Sequence, residues 1–273
     1  MNRWLVALTI AMSAMLAINS VLGPFVFDVV AYGFPESVAN QGIGLDAVSL
    51  LLVAPLGLLS AWATSKRWSL GPLVALAVAA YTAYMLVQYL VGPNYTYAAR
   101  IYPFQLVTFI ASLATATLAW QVLSAGPPWT HRRRLTAGVM FGVAAFVVLR
   151  YLPTLIGAAG EEPLPEEYTT ALAFFWTIVL MDLGIFVPAA IATGVGVLRQ
   201  ARWAAAAALS ITVWFTLVTV AVWAMALTMV VNDDPYASDG QVVLFLALSV
   251  VTVGYAGWAL RDTFGPRHSR RGA

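Results

Sequence analysis

The sequence contains no cysteine, and only 10% of its 273 residues are charged. The absence of cysteine excludes thiol redox chemistry and disulfide bonds. A soluble domain usually carries about 25% charged residues, so this chain has few charges with which to cover a water-exposed surface. Instead 61% of the residues are hydrophobic and the mean hydropathy is +0.83. These values predict an integral membrane protein.

Residues that bind cofactors or act as nucleophiles are also scarce. The two histidines, His131 and His268, lie among arginines, and Lys66 is the only lysine. Haem and di-iron sites in helical bundles need histidine or carboxylate clusters at helical spacing, and a retinal Schiff base needs an intramembrane lysine. No P-loop, G-x-S-x-G or H-E-x-x-H motif is present. We therefore expect no cofactor, no ATP-driven transport within this chain and no enzymatic activity.

Long uncharged tracts separate the short charged groups, and each tract suffices for one helix of about 20 residues across a core of about 30 Å. We predict an all-α integral membrane bundle of eight transmembrane helices, near residues 4–24, 46–64, 70–91, 101–124, 135–158, 169–198, 203–230 and 241–261. Residues 1–262 then form a single transmembrane domain, and residues 263–273 a basic tail. We expect the first helix to be retained, because no clear A-x-A cleavage pattern ends it.

Basic and acidic residues alternate between successive turns. The basic groups fall on one side of the eight-helix arrangement, at Arg3, residues 66–67, 132–134 and 199–202, and the tail. The acidic groups fall on the other side, most densely at residues 161–167 and 233–239. The positive-inside rule then places both termini in the cytoplasm. The net charge of +2 reflects this topology, so we expect membrane lipids and no nucleic acid as partners.

Two charged residues lie within predicted helices. Asp182 is about twelve residues, roughly 18 Å, below the outer end of its helix, and Arg150 is about eight to ten residues, roughly 12–15 Å, below the outer end of the preceding one. We predict an ion pair between them, because an unpaired charge at the bilayer centre costs about 2.5–3.5 kcal/mol. A functional site and a purely structural pair both remain open. Arg150 can also extend to the outer surface.

Polar residues recur at helical spacing in the third and fourth predicted helices. Tyr81, Tyr84 and Gln88 form one stripe, and Gln105 begins another that continues through hydroxyl residues. We predict a cavity that opens outward, is lined by the third to sixth helices and ends at Asp182. The alternative is that the polar side chains only make hydrogen bonds between packed membrane helices.

The helix that carries Asp182 has small or polar residues on the predicted face of the acid, at Ala189, Thr193 and Gly196. Pro188 removes one backbone hydrogen bond from this helix, so a carbonyl near the acid is predicted to be free. Two weaker patterns are a tyrosine belt at the outer boundary, with a ligand cage as the alternative, and a G-x-x-x-G pair for close helix packing. They comprise Tyr95, Tyr97, Tyr102 and Tyr151, and Gly138 and Gly142.

Residues 53–68 and 186–203 share a proline, small residues and an Arg-Trp pair in similar order, if two residues are inserted. Asp46 and Asp182 precede the two prolines by unequal distances. A possible 4+4 parallel repeat follows, with chance similarity of apolar helices as the alternative.

The stretches GLDAVSLLLVAPLGLL, K-R-W-S-L and MDLGIFVPAA resemble uncharacterised polytopic membrane proteins of bacteria. The resemblance implies a shared fold, a shared role for Asp46, Asp182 and Pro188, and a multi-pass position in the bacterial cytoplasmic (inner) membrane. It brings no known activity. The third helix departs from that pattern, in which an asparagine tends to follow the tyrosines.

The leading hypothesis is a carrier for a small solute or ion, coupled to protons through Asp182. The second is a non-catalytic sensor or accessory subunit that binds a partner. An intramembrane enzyme ranks last, because no nucleophile and base pair is visible. The sequence leaves the solute and the oligomeric state open.

Overall fold

The computed structural model describes residues 3–27, 33–94, 99–124, 132–160 and 162–264. Across these ranges the chain is helical and forms no strand, and eight helices are long and apolar enough to cross a membrane. They are α1 (Arg3–Leu22), α2 (Glu36–Ser65), α3 (Leu70–Val91), α4 (Tyr102–Ser124), α5 (Arg133–Ala159), α6 (Leu172–Leu198), α7 (Ala204–Val231) and α8 (Asp239–Arg261). The prediction of eight helices is confirmed.

The second helix begins ten residues earlier than predicted, at Glu36 instead of near residue 46. The predicted boundary coincides with a charge, but Asp46 is fully buried within the helix, where the Tyr89 hydroxyl donates to its carboxylate over 3.2 Å. A buried acid with a hydrogen-bond donor does not end a helix. Most of the predicted tail lies outside the described residues. Tyr95 and Tyr97, which follow α3, also lie outside them.

The surface of the bundle is apolar and its interior holds polar groups. Leu51, Leu149 and Val250 are each more than 60% exposed. Asn19, Gln105, Thr108 and Ser112, in contrast, are fully buried. This distribution is the reverse of that in a soluble domain. It suits helices whose outer faces contact hydrocarbon and whose polar side chains find partners inside the protein, and it indicates a multi-pass membrane protein.

Helices α3 and α7 form the centre of the bundle. α3 packs between α2 and α4 and also contacts α7, while α7 packs against α2, α6 and α8. α1 packs against both α2 and α4, and α5 packs against α6. α4, α5 and α8 therefore lie at the periphery, where only 22% of the spanning part of each helix is buried. In this arrangement Tyr84 of α3 faces α6, whereas Tyr81 and Tyr89 face α2.

Helices α2 and α6 each contain a wide, π-helical turn just before a proline. The turns span Ser49–Val53 and Leu180–Phe186. In each turn a backbone N–H donates to the carbonyl five residues earlier, from Ala54 to Ser49 and from Val187 to Asp182. Such turns insert one extra residue into a helix and are frequent at functional sites.

The two helices also end in the same way. Arg67 and Gln200, just beyond α2 and α6, have left-handed backbones with φ of 63° and 58°. The next residue in each case donates its N–H to a carbonyl five residues back, from Trp68 to Ala63 and from Ala201 to Gly196. This is the hydrogen bond of a Schellman helix end. It turns the chain sharply at the two basic turns.

The turn between α7 and α8 is fastened to the start of α2. Asp234 is buried and accepts hydrogen bonds from Ser37 Oγ at 3.2 Å and Asn40 Nδ2 at 2.8 Å. Asn232 Nδ2 donates to Asn40 Oδ1 over 2.9 Å. The acidic residue Asp234 is therefore part of a packed polar junction.

Candidate functional site

The carboxylate of Asp182 is held by two tyrosine hydroxyls from two other helices. Tyr84 on α3 donates to Oδ1 over 2.8 Å, and Tyr151 on α5 donates to Oδ2 over 2.7 Å. Asp182 and Tyr151 are only 8% and 6% exposed. A hydrogen bond from a hydroxyl to a charged acceptor is stronger than one between neutral groups. The two donors stabilise the acid inside the bundle without a direct positive partner.

The local fold explains how three helices converge on this acid. Asp182 lies in the wide turn of α6, ten residues after that helix begins at Leu172, or about 15 Å along the axis. Tyr151 lies eight residues before the end of α5 at Ala159, at a similar height, because α5 and α6 are antiparallel neighbours. Tyr84 reaches the acid from central α3, packed edge-on to Trp214 at a centroid distance of 5.5 Å.

Arg150 does not contact the Asp182 carboxylate. No guanidinium nitrogen of this arginine lies within 4.0 Å of a carboxylate oxygen in the described ranges. The guanidinium instead lies over two aromatic rings, 5.4 Å from the centroid of Tyr151 and 5.6 Å from that of Phe245 on α8. The predicted ion pair is therefore not formed. The Tyr151 side chain, which contacts both charged groups, stands between them.

A cavity of about 570 Å³ contains both charged groups. Pockets that hold small molecules typically measure about 300–1,000 Å³. Its walls come from α2, α3, α5, α6, α7 and α8 and from the turn before α6. The polar side chains that line it are Gln41, Tyr81, Tyr84, Gln88, Arg150, Tyr151, Thr154, Tyr168, Asp182 and Gln241. The remaining walls are leucine, methionine, valine, alanine and phenylalanine together with Ile178 and Pro165.

The predicted polar residues divide between this cavity and other positions. Tyr84 and Gln88 line the cavity with Asp182, as expected. Gln105 does not line the cavity. Its Nε2 instead donates a hydrogen bond of 3.1 Å to Oδ1 of Asn19 on α1. Asp46 also lies behind the wall, bound to Tyr89. The fourth helix, which was predicted to line the cavity, contributes no residue to it. Helices α2, α7 and α8 line the cavity although they were not predicted to do so.

The wide turn of α6 changes which residues share a face with Asp182. An uninterrupted helix places Ala189 on that face, but Ala189 is exposed and Ala190 is fully buried. The extra residue in the turn rotates the rest of the helix by about 100°. Thr193 and Gly196 are buried as predicted. The Asp182 carbonyl is not free, since it accepts the Val187 N–H.

The prediction of an interfacial belt is wrong for Tyr151. Its ring is buried and its hydroxyl binds Asp182. Gln41, Tyr168 and Gln241 were not predicted either, since they lie near turns where polar residues are common. A usable signal for Tyr151 was its position next to Arg150, at the same height as the acid.

The site contains one acid, one base and several hydroxyl and amide groups. In the described part of the chain, no group of three or more His, Asp and Glu side chains lies close enough to hold a metal ion. Such a cavity can bind one small polar or charged molecule, and it can pass a proton through the carboxylate. No protein-family model, curated protein or solved structure matches the chain.

Proposed function

We propose that this protein is a carrier for a small solute, with Asp182 as the group that couples the movement to protons. The single observation that supports the proposal most strongly is the cavity of about 570 Å³ that reaches a carboxylate well inside an apolar bundle. Ionisable residues within membrane helices usually face a cavity and mark a substrate or proton pathway. The two tyrosine donors keep the acid in place when no solute is bound.

The orientation in this proposal follows from the basic turns. The cytoplasmic side carries residues 66–67, 132–134 and 199–202, and both termini. Tyr168, Pro165 and Gln241 line the part of the cavity near the opposite, acidic end. In this proposal the cavity opens to the outside. The membrane we assign is the bacterial cytoplasmic membrane.

A 4+4 parallel repeat is part of this proposal. Pro188 follows Pro55 by 133 positions, and the same offset relates Asp182 to Ser49 and Gln200 to Arg67. These pairs are the carbonyl acceptor of the hydrogen bond in the wide turn, the proline and the left-handed helix end in α2 and α6. The matched backbone hydrogen bonds need no inserted residues. Parallel repeats of this kind carry the central sites of some transporters.

The test uses purified protein in proteoliposomes that contain a pH-sensitive dye. Small amines, phosphates, sugars and carboxylic acids of short and long chain are added in turn under an imposed pH gradient. We expect one class to change the internal pH faster than in protein-free liposomes. Asp182→Asn should abolish this response. Asp46→Asn is the matched control, because it removes a buried, tyrosine-bound acid that lies outside the cavity.

Two outcomes would contradict the carrier. One is the absence of a response to every class by folded protein. The other is an Asp182→Asn variant that retains the full response. Circular dichroism and size-exclusion profiles must match the parent, so that a loss of response is not a loss of folding.

A sensor or accessory subunit is the second candidate, and one observation favours it. Gly138 and Gly142 on α5 form a G-x-x-x-G pair on an open face of the helix, where a Cβ added at either position would meet no atom within 4 Å. Such pairs permit close approach of another membrane helix. Gly138→Leu should then change the oligomeric state of the detergent-solubilised protein, measured by light scattering, and leave the solute response unchanged.

A further inference from the structure

Helices α5 and α8 are separated from each other, whereas α1 and α4 pack together. In the first half of the chain, α1 and α4 are in close contact, and the Asn19–Gln105 hydrogen bond joins them. α5 and α8 hold the corresponding first and fourth places in the second half, but they make at most marginal backbone contact in the described ranges. Leu149 of α5 and Leu244 of α8 both line the cavity and are both more than half exposed. The cavity therefore extends to the side of the bundle, between these two helices.

Arg150 lies in this lateral gap. Its side chain is exposed, and its guanidinium touches the rings of Tyr151 and Phe245 on opposite sides of the gap. It has no hydrogen-bond acceptor or carboxylate partner within the described residues. A guanidinium is always charged and presents five N–H donors. The one basic group of the cavity is thus held by ring contacts that leave its donors available.

Much of the cavity that holds Arg150 is apolar. Leu149, Val218, Val222, Met225 and Leu244 line the same cavity. The only acid among the lining residues, Asp182, already accepts two tyrosine hydroxyls. A purely polar solute would leave most of this surface without a partner. A molecule with an anionic head and an apolar body would match both parts.

We infer that the cavity binds an amphiphilic anion, whose carboxylate or phosphate head pairs with Arg150 and whose hydrocarbon part lies between α5 and α8. This inference rests on the proposed carrier and names its substrate class. The head-group chemistry is shared by free long-chain acids and by anionic membrane lipids. Arginine binds both through two parallel hydrogen bonds. The lateral gap gives such molecules entry from the bilayer without passage through water.

The experiment is photo-crosslinking of the protein in lipid nanodiscs. Three probes carry the same diazirine in the hydrocarbon chain: a long-chain fatty acid, the corresponding fatty alcohol and an anionic phospholipid. We expect saturable labelling of residues 146–154 and 241–248 by the fatty acid, the phospholipid or both, and not by the alcohol. The comparison of the two anionic probes identifies the source of the head group. Excess inorganic phosphate should not compete, because it lacks the apolar part.

Arg150→Gln should reduce the labelling about tenfold or more, the loss expected for one charge-assisted pair. Arg150→Lys should retain part of it, since the charge remains. Arg132→Gln is the matched control. The guanidinium of Arg132, at the start of α5, also lies over an aromatic ring of α8, 4.9 Å from the centroid of Trp258. Arg132 does not line the cavity. Equal labelling by acid and alcohol would overturn the inference, as would full competition by phosphate or an equal effect of the two glutamine variants.

The outcome is separable from that of the carrier. The labelling reports binding of the head group at Arg150, whereas the solute response reports movement coupled to protons through Asp182. Labelling that fails in a protein with an intact proton-coupled response would refute the amphiphile and leave the carrier. Labelling without any coupled response would refute the carrier and leave the binding site.

Discussion

Tyr151 donates a hydrogen bond of 2.7 Å to Asp182 and lies with its ring 5.4 Å from the guanidinium of Arg150. One side chain thus contacts the only acid and the only base among the described residues that line the cavity. We expect that a change in the position of Arg150 on ligand binding would reach the acid through this ring. The relationship replaces a direct ion pair, and it has measurable consequences.

The first prediction concerns the tyrosine donors. Tyr84→Phe and Tyr151→Phe should each lower the free energy of unfolding by about 1.5–3 kcal/mol, because each leaves one carboxylate oxygen of a buried acid without its donor. Tyr102→Phe is the control, since Tyr102 is 40% exposed at the start of α4. Unfolding in detergent, followed by circular dichroism, measures the differences. A Tyr102→Phe loss as large as the other two would contradict the assignment.

The second prediction ranks two couplings by double-mutant cycles. Asp182 should couple to Tyr151 by about 1 kcal/mol or more, the range for groups in direct contact. Its coupling to Arg150 should be smaller, because no charged atoms of the two residues are within 4.0 Å. The cycles combine Asp182→Asn with Tyr151→Phe and with Arg150→Leu. If Arg150 gives the larger coupling, the two residues pair directly in solution.

The third prediction uses two glycines of one helix. A Cβ on Gly44 would collide with the backbone of Ala224 on α7, whereas a Cβ on Gly42 meets no atom within 4 Å. Gly44→Ala should therefore destabilise the protein by about 1–3 kcal/mol or more through overpacking. Gly42→Ala should be neutral or slightly stabilising. Similar thermal unfolding of both variants would contradict the close contact between α2 and α7.

The fourth prediction concerns the polar pair between α1 and α4. Gln105→Leu should destabilise the protein by about 1–3 kcal/mol, since Asn19 loses a donor in a fully buried position. The double variant Asn19→Leu with Gln105→Leu should be more stable than that single variant. Neither should alter fatty-acid labelling, because Gln105 does not line the cavity. A selective loss of labelling in Gln105→Leu would show that Gln105 contributes to the binding site.

The fifth prediction is topological. The chain has no cysteine, so one introduced cysteine is the only target for a thiol reagent. An impermeant maleimide applied to intact cells should label Ser238→Cys, beside the acidic turn, and not Ser124→Cys, beside the arginines of residues 132–134. Labelling of Ser124→Cys alone would reverse the orientation.

The helix count and the position of Asp182 at the cavity could be predicted from sequence, because charge is so rare that each charged residue carries information. Tyr84 and Gln88 followed from helical spacing. The exposure of Ala189 could not be predicted, because a wide turn has no distinctive sequence. Such a turn changes the direction in which every later side chain of the helix points. The position of Gln105 depends on which helices are neighbours. The spacing of the polar residues in α4 identifies a polar face of that helix. It does not show that this face packs against α1.

The tyrosine donors of Asp182 also bear on how the chain reaches its membrane. Tyr84 and Tyr151 precede the acid by 98 and 31 residues, so ribosomal synthesis completes α3 and α5 before α6 emerges. Domains and segments assemble in this N-terminal-first order during translation. On insertion into a bilayer, both hydroxyls would therefore precede the buried acid. The acid can be accepted at the moment of insertion, and α6 depends on the earlier helices for its entry.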